Sequence, residues 1–245
     1  MGIKDRLFTF LSLYKTALKP YFADPAFFQL GKGGNNLLSR LRYGFNAANF
    51  RLITTERIVE MPFVYSNLGL PKGAEILDFG CNYSKLSLEM ASAGYKVTGT
   101  DLNDCGLEHP NFTFVKGDFS KNTLPGDRFD AIVAVSALEH SGMGSYGGGT
   151  YTRADDTILG EFHRVLKTGG KLIITVPFGK NEEGEGYRIY DDVSLAGLIK
   201  KFKILKSEYY MGMDRKFWLP AAKEELSAVS SKDIVQGVAC LLLEK

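Results

Sequence analysis

The hydrophobic pattern of the chain changes character near residue 74. Before this point, apolar residues recur at helical spacing in residues 3–18, 37–52 and 55–69, which predicts three helices. After it, helical stretches alternate with short apolar runs, which read "EILDF", "KVTGT", "FTFVKGD", "FDAIVAVS" and "KLIITVPF". Strands that alternate with helices predict a parallel, doubly wound α/β sheet.

The last part of the chain follows a different pattern. A predicted helix over residues 193–202 is followed by two predicted strands, residues 203–211 and 234–244. The polar linker between these strands is long enough for a helix or a flap. Upstream, a helix over residues 158–166 is predicted to close at Gly169–Gly170.

Residues 1–51 are predicted to form an N-terminal helical cap, and residues 52–245 the main domain. Pro20 and Pro25 interrupt the first segment, which is too short for a core of its own. It contains eight basic and two acidic residues, which favours an anionic partner. An alternative is that residues 3–18 form an amphipathic helix that lies on anionic lipid.

Composition narrows the class of protein. The 245 residues are 44% hydrophobic and 24% charged, as in ordinary soluble domains. The sequence shows no apolar run of bilayer-spanning length and no signal-peptide layout. Three cysteines are too few for a disulfide framework, so a cytoplasmic location is expected.

Polar residues follow the first two predicted strands, at the sheet edge where ligands of open α/β sheets bind. Gly80 allows close backbone approach to a ligand, and Asn82 tolerates positive φ. Ser84 can cap the next helix and point its hydroxyl at the ligand. Asp101 is placed to accept hydrogen bonds from ribose hydroxyls. The alternatives are an ordinary strand-to-helix turn and a surface acid.

A carboxylate followed by an aromatic residue comes after the third strand. Asp118 could bind an adenine amino group, and Phe119 could pack against the ring. The alternative is a turn residue followed by a core phenylalanine, and these two residues alone favour it.

Together, the segments "ILDFGCNYS", "VTGTDLN", "VKGDF", "FDAIVAVSALEH" and "EFHRVLKTGGKLIITVPFG" resemble the class I S-adenosylmethionine-dependent methyltransferases. The resemblance implies a Rossmann-like, seven-stranded sheet of order 3-2-1-4-5-7-6 with strand 7 antiparallel. It implies S-adenosylmethionine as cofactor, with the loop after Asp78 at the methionine part and Ser136 at the pocket floor. The implied cofactor-binding residues are Asp78, Gly80, Asn82, Ser84, Asp101, Leu102, Asp118, Phe119 and Ser136. Asn82 and Ser84 depart from the family pattern, which has glycines there.

A narrower resemblance, carried by "EHSGMGSYGG", "VPFG" and "YRIYDD", is to a branch thought to act on sugars or other polar metabolites. The predicted reaction is methyl transfer to a small polar or glycan acceptor, at oxygen. A hydroxyl nucleophile needs a base, for which His140 is the candidate, with Glu139 beside it. The alternative is that Glu139 and His140 only shape the cofactor pocket.

Acceptor-binding residues are predicted in two segments: Tyr146, Arg188, Tyr190 and Asp191. Arg188 could clamp a carboxylate or phosphate, and Tyr190 and Asp191 could hydrogen-bond a sugar. The alternative is a solvated polar loop whose aspartate caps the next helix. Residues 145–151 are glycine-rich, which predicts a mobile lid. No ligand spacing supports a metal site, and none is predicted.

Three other functions stay open. A nicotinamide-dependent oxidoreductase has a similar loop, but residues 82 and 84 oppose it because pyrophosphate needs bare backbone. A non-catalytic S-adenosylmethionine-binding scaffold would fit the altered loop. The basic segment favours a nucleic-acid methyltransferase. However, "SALEH" stands where an Asn-Pro-Pro-aromatic motif would be expected, so no nucleic-acid partner is predicted.

Overall fold

The computed structural model describes residues 55–82, 84–143, 154–184, 186–214, 216–230 and 236–245. The predictions for residues 1–51, with the lipid contact of residues 3–18, lie outside the described residues. So do those for residues 145–151, including Tyr146.

The described chain contains five α-helices and ten strands. The α-helices are α1 Arg57–Leu68, α2 Leu86–Ser92, α3 Asp155–Val165, α4 Asp192–Ile199 and α5 Lys223–Leu226. The strands are β1 Glu75–Phe79, β2 Lys96–Asp101, β3 Phe112–Lys116, β4 Phe129–Val135, β5 Leu166–Pro177, β6 Glu182–Gly184, β7 Tyr187–Ile189, β8 Lys203–Met213, β9 Phe217–Pro220 and β10 Gly237–Glu244. Two 3₁₀ turns, Phe119–Lys121 and Leu138–His140, follow β3 and β4. None of the helices in these ranges is both long and apolar enough to cross a bilayer.

The main sheet has the order β3-β2-β1-β4-β5-β10-β8-β9. Strands β1 to β5 are parallel, whereas β10 is antiparallel to both of its neighbours. The first seven strands confirm the predicted order 3-2-1-4-5-7-6, with β10 as strand 7. An eighth strand, β9, pairs with β8 at the edge, in the stretch that the sequence left as a linker.

Successive residues of the central strands point to opposite faces of the sheet, and both faces are covered by helices. Leu77 and Ile132 pack in one core cluster, with residues of α3 and α4. Ile76 and Val133 pack in the other, with residues of α1 and α2. Because both faces are buried, these strands are mostly apolar, which is why their sequence pattern is clear.

The predicted end of α3 at the glycine pair is wrong. The helix ends at Val165, and β5 begins at Leu166, which pairs directly with Phe129 of β4. The pairing then shifts register, so that Lys171 lies opposite Ala131. Residues 167–170 fill this irregularity, and Gly169 has a φ of 74°. The glycines therefore serve the strand pairing and not the helix end.

A hairpin follows β5 on the side of the candidate site. Strands β6 and β7 pair antiparallel, with Glu183 opposite Arg188. The sequence pattern predicted acceptor-binding residues or a polar loop in this segment, and no strands. Tyr190 then forms an isolated bridge with Phe178, which joins the hairpin to the end of β5.

Candidate functional site

The carboxyl ends of β1, β2 and β4 meet at one edge of the sheet, as parallel topology requires. The Gly80 and Cys81 N–H groups both donate to the Thr100 carbonyl, at 2.9 and 3.2 Å. The Asn82 N–H donates to Asp101 Oδ2 at 3.1 Å. The loop after β1 is therefore fixed to the end of β2.

Gly80 is required by both its conformation and its surroundings. Its φ is 74°, and a Cβ added there would lie 2.6 Å from the Ala137 Cβ. The loops after β1 and β4 thus approach too closely for a side chain. The tolerance of Asn82 for positive φ is not used in the structure. The described non-glycine residues with positive φ are Asp127, Ser136 and Asp214, since Gly80 already makes the turn.

Gly80→Ala is expected to lower the free energy of unfolding by about 1–3 kcal/mol more than Gly73→Ala. Gly73 is the matched control because its φ is 84° and no atom lies within 4 Å of an added Cβ. Both variants carry the conformational strain, but only Gly80→Ala carries the clash with Ala137. Urea denaturation of the two variants measures the difference. Equal losses would contradict the close contact of the two loops.

Ser84 lies next to the start of α2, although the N-cap position is occupied by Lys85. The Ser84 hydroxyl accepts a hydrogen bond from the Leu86 N–H at 3.1 Å. Ser84 therefore stabilises the first turn of α2 as a cap would, although it lies one residue before the N-cap position.

Asp101 has its carboxylate oriented by backbone donors. Oδ2 binds the Asn82 N–H, and Oδ1 accepts from the Asn103 N–H at 2.9 Å. A carboxylate has about four acceptor positions, so further hydrogen bonds remain possible. Leu102 is 43% exposed beside it and offers an apolar surface at the rim. The Thr100 hydroxyl is buried without a hydrogen-bond partner among the described residues.

Asp78 is buried within the sheet and accepts a hydrogen bond from the Ser87 hydroxyl of α2 at 2.5 Å. Burial raises the pKa of Asp78 to about 6, although the Ser87 hydrogen bond and Arg57 oppose the shift. The side chain thus ties β1 to α2, and its contact with the methionine part of a cofactor stays a prediction.

Asp118 and Phe119 occupy the places that the alternative interpretation gave them. The Asp118 carboxylate caps the 3₁₀ turn by accepting from the Ser120 N–H and hydroxyl, at 3.0 and 2.7 Å. Partial burial raises the pKa of Asp118, but these hydrogen bonds outweigh it, and the net shift is downward. Phe119 packs in an aromatic cluster with Phe79 and Phe162, with ring centroids 5.5 Å away in each case. Their adenine contacts stay predictions.

Ser136 directly follows β4 and has a conformation that is uncommon for serine, with a φ of 42°. Its N–H donates to Thr175 of β5, to the carbonyl at 3.1 Å and to Oγ1 at 3.0 Å. Its hydroxyl donates to Glu60 Oε1 at 2.6 Å. Three hydrogen bonds therefore hold the strained residue in place at the predicted pocket floor.

Glu60 and Arg57 of α1 are site residues that the sequence reasoning missed. Arg57 Nη1 donates to Glu60 Oε2 at 2.6 Å, and Glu60 is fully buried. One signal was present: Glu60 lies three and four residues before Phe63 and Val64, on the buried face of the helix. A carboxylate on an apolar helix face needs hydrogen-bond partners, and here Arg57 and Ser136 supply them.

Glu139 lies in the 3₁₀ turn after β4 and is 2% exposed. Its Oε2 is buried without a hydrogen-bond partner among the described residues. Burial is the main cause that raises its pKa to about 8, and nearby Glu60 and Glu56 add to the shift while Arg57 opposes it.

His140 is half-buried, and its Nδ1 lies 2.5 Å from the Gly186 carbonyl of the hairpin turn. A carbonyl only accepts, so Nδ1 carries the proton in the neutral ring, and Nε2 carries the lone pair. Nε2 lies 3.8 Å from Glu139 Oε1. Burial lowers the pKa of His140 and Arg57 lowers it further, whereas the Gly186 carbonyl opposes the shift. The imidazole is therefore neutral at physiological pH, as a general base must be.

The predicted acceptor-binding residues of the hairpin segment are engaged within the protein. Arg188 is 1% exposed and pairs with Asp155 at 2.7 Å, so a role as substrate clamp would require this ion pair to open. The buried Tyr190 hydroxyl lies 3.3 Å from Asp155 Oδ2. Asp191 forms a capping box with Ser194 at the start of α4, the alternative role foreseen for it. Within the described ranges, no group of three or more His, Cys, Asp or Glu side chains is arranged to hold a metal ion.

Comparisons with known proteins show which family, relatives and folds the chain is similar to. Residues 77–174 match the family described as a methyltransferase domain. Sterol 24-C-methyltransferase ERG6B of Gibberella zeae is 28% identical over 160 residues, which cover 58% of this chain and 39% of that protein. The S-adenosyl-L-methionine-dependent Diels-Alderase iccD of Talaromyces variabilis is 28% identical over 109 residues, covering 44% and 37%. The chain thus spans less than two fifths, or 37% and 39%, of the length of these relatives.

The fold is also found in solved structures. A methyltransferase from Methanosarcina mazei, described as S-adenosylmethionine-dependent, superposes with a TM-score of 0.52 and 21% identity. The match covers 75% of this chain and 97% of the other. This likeness supports the Rossmann-like fold read from the sheet order.

Proposed function

Because residues 77–174 match a methyltransferase-domain family and the sheet has the order implied by the resemblance, we propose that the protein is a class I S-adenosylmethionine-dependent methyltransferase that transfers a methyl group to a hydroxyl of a small polar or glycan acceptor. His140 is the general base in this proposal. The acceptor class follows the narrower sequence resemblance, and the choice of oxygen rests on the state of His140.

The residues present fit the cofactor. Gly80 leaves bare backbone at the end of β1, where a side chain would collide with Ala137. Asp101 is an oriented acceptor for the ribose hydroxyls of the cofactor. The exposed Leu102 beside it offers an apolar contact for the adenine ring. The buried Thr100 hydroxyl, which has no partner in the described chain, adds a polar group at the same strand end.

The observation that carries the choice of oxygen is the contact of His140 Nδ1 with the Gly186 carbonyl. It fixes the tautomer in which Nε2 can take a proton. A base is needed for a hydroxyl acceptor, because a neutral hydroxyl is a weak nucleophile that must lose its proton as the new bond forms.

The chain's own residues supply alignment and proton transfer. S-adenosylmethionine, when bound, supplies a methyl group already activated on a cationic sulfonium, so orientation of the acceptor gives much of the rate. His140 Nε2 takes the hydroxyl proton. The resulting imidazolium lies 3.8 Å from Glu139 Oε1, and its charge favours release of the Glu139 proton to solvent, which leaves a carboxylate as the counter-ion.

The proposal is tested with S-adenosylmethionine carrying a labelled methyl group and a panel of acceptors. We expect label in free sugars and other polar hydroxyl compounds, with release of S-adenosylhomocysteine, and none in the matching O-methylated compounds. A sterol belongs in the panel, since ERG6B is named for a sterol. Transfer to the sterol alone would contradict the polar acceptor. Calorimetry with NAD in parallel should show no binding.

Asp101→Ala is expected to weaken cofactor binding by about 1–3 kcal/mol, because ribose hydroxyls lose their acceptor. Isothermal titration with S-adenosylhomocysteine measures the change. Asp104→Ala is the control, since Asp104 is an exposed carboxylate on the same loop that pairs with Lys116 at 2.6 Å. Unchanged affinity in Asp101→Ala would contradict the ribose assignment.

A second candidate is cofactor binding that supports a reaction without methyl transfer. It is supported by the name of iccD, an S-adenosyl-L-methionine-dependent Diels-Alderase. In that case the cofactor would bind with similar affinity but S-adenosylhomocysteine would not accumulate with any acceptor.

A further inference from the structure

Arg188 has an unusual environment for a hairpin residue. Its side chain is 1% exposed, and its guanidinium donates in three directions. Nη1 binds Asp155 Oδ2 at 2.7 Å, Nε binds Glu183 Oε1 at 3.0 Å, and Nη2 lies 3.1 Å from Met143 Sδ. A buried guanidinium loses its hydration and is tolerated only where such partners surround it.

These partners belong to three separate parts of the chain. Met143 lies three residues after His140, Asp155 begins α3, and Glu183 lies on β6 opposite Arg188. The guanidinium therefore joins the hairpin to the segment that carries His140 and to α3. A planar group with fixed donor directions defines the relative position of these elements more closely than a flexible cation could.

The same hairpin contacts His140 directly. Gly186 lies two residues before Arg188, and its carbonyl is the partner of His140 Nδ1 at 2.5 Å. The φ of Gly186 is 81°, a conformation that suits glycine, so the carbonyl direction is set by this turn. The ion pair between Arg188 and Asp155 fixes the position of this hairpin turn.

We propose that Arg188 and Asp155 are positioning residues for His140. They hold the Gly186 carbonyl against Nδ1, which keeps the proton on Nδ1 and the lone pair on Nε2. This role rests on the proposed function, in which Nε2 is the base. Arg188 therefore acts on the reaction through the hairpin and not by binding the acceptor.

The test uses the full chain and two readouts. Nitrogen-15 NMR of the imidazoles reports the tautomer of His140, with His140→Gln identifying its signals. In the wild type we expect the Nδ1–H form alone. In Arg188→Met, which keeps the length and apolar stem, we expect a mixture with the Nε2–H form. Turnover should fall about 10–100-fold through misalignment while the dissociation constant for S-adenosylhomocysteine is unchanged.

Arg164→Met is the matched control, because that guanidinium pairs with Glu161 on the exposed face of α3. It should change neither readout. If Arg188→Met does not fold, the double variant Arg188→Met/Asp155→Leu replaces the buried pair by apolar side chains and should fold. Arg188→Lys keeps the charge but loses the fork, so we expect an intermediate tautomer population.

The outcomes separate this inference from the proposed function. A folded Arg188→Met or double variant with wild-type tautomer and turnover would overturn the positioning role, whatever His140→Gln does. If the tautomer shifts but His140→Gln keeps full turnover, the base assignment fails and the catalytic part of the inference fails with it. A shifted tautomer together with reduced turnover in both variants supports the inference.

Discussion

Replacing His140 by alanine is expected to lower turnover about 10²–10⁴-fold, the usual contribution of a general base. Cofactor affinity should change little, because the hydrogen bonds of Asp101 and the bare backbone at Gly80 stay intact. Single-turnover rates with a responsive acceptor measure the first effect, and calorimetry with S-adenosylhomocysteine measures the second.

A general base also predicts the direction in which turnover changes with pH. The pKa of His140 is lowered by burial and by Arg57, against the opposing effect of the Gly186 carbonyl. A base must be deprotonated, so wild-type turnover should rise with pH up to a value below the ordinary 6.5 of histidine and then level off. His140→Ala should lose this rising limb. A limb centred above 6.5 would contradict the assignment.

His163→Ala is the matched control for the loss of an imidazole. His163 lies on α3 and stacks edge-on against Phe202, with ring centroids 5.4 Å apart. Its replacement should leave turnover and the pH profile unchanged. If His140→Ala instead lost cofactor binding and turnover in parallel, His140 would shape the pocket and would not be the base.

The sequence predicted most of the main sheet because its central strands are buried on both faces. In residues 129–135, every side chain except Asp130 is apolar, so the strand is recognised without knowledge of its partners. The strand order came from the resemblance to a family and not from spacing. The edge strand Phe217–Pro220 was missed because most of its side chains are exposed, so it has no alternation of buried and exposed residues. It also ends in proline, which is typical of edge strands and turns.

Only the site residues that directly follow a predicted strand could be located from the sequence. Asp101 and Gly80 follow directly from their positions at strand ends. The Ser136–Glu60 hydrogen bond joins residues 76 positions apart, and the His140–Gly186 contact joins residues 46 apart. The fold brings such distant residues together, and the local sequence pattern does not predict which of them will pair. Arg188 shows the consequence, since an arginine in a polar segment resembles a substrate clamp until its buried partner Asp155 is known.

The other large expected effect concerns stability, through the buried carboxyl of Glu139. Its pKa is raised from the usual 4.5 to about 8, chiefly by burial, with Glu60 and Glu56 contributing and Arg57 opposing. The folded protein therefore retains a proton that the unfolded chain releases above about pH 4.5. Folding stability from this group is highest at low pH and falls as pH rises from 4.5 towards 8.

Glu139→Gln removes this titration while keeping the size of the side chain. One pKa unit corresponds to about 1.4 kcal/mol, so the stability of the variant relative to wild type should increase by about 2 kcal/mol between pH 6 and pH 8. Above pH 8 the difference should become constant, because wild-type Glu139 is then ionised in both states. Urea unfolding at half-unit pH steps measures the curve.

Two comparisons isolate the contribution of Glu139. Because His140 Nε2 lies 3.8 Å from Glu139 Oε1, ionisation of one side chain affects the other, so wild type and Glu139→Gln are compared again in a His140→Gln background. Glu161→Gln is the control, since the pKa of Glu161 is lowered by its hydrogen bond to Arg164 and it is ionised throughout the range. Its difference from wild type should not vary with pH. A flat difference for Glu139→Gln as well would mean that Glu139 is already ionised at pH 6 and that its Oε2 finds a hydrogen-bond partner in solution.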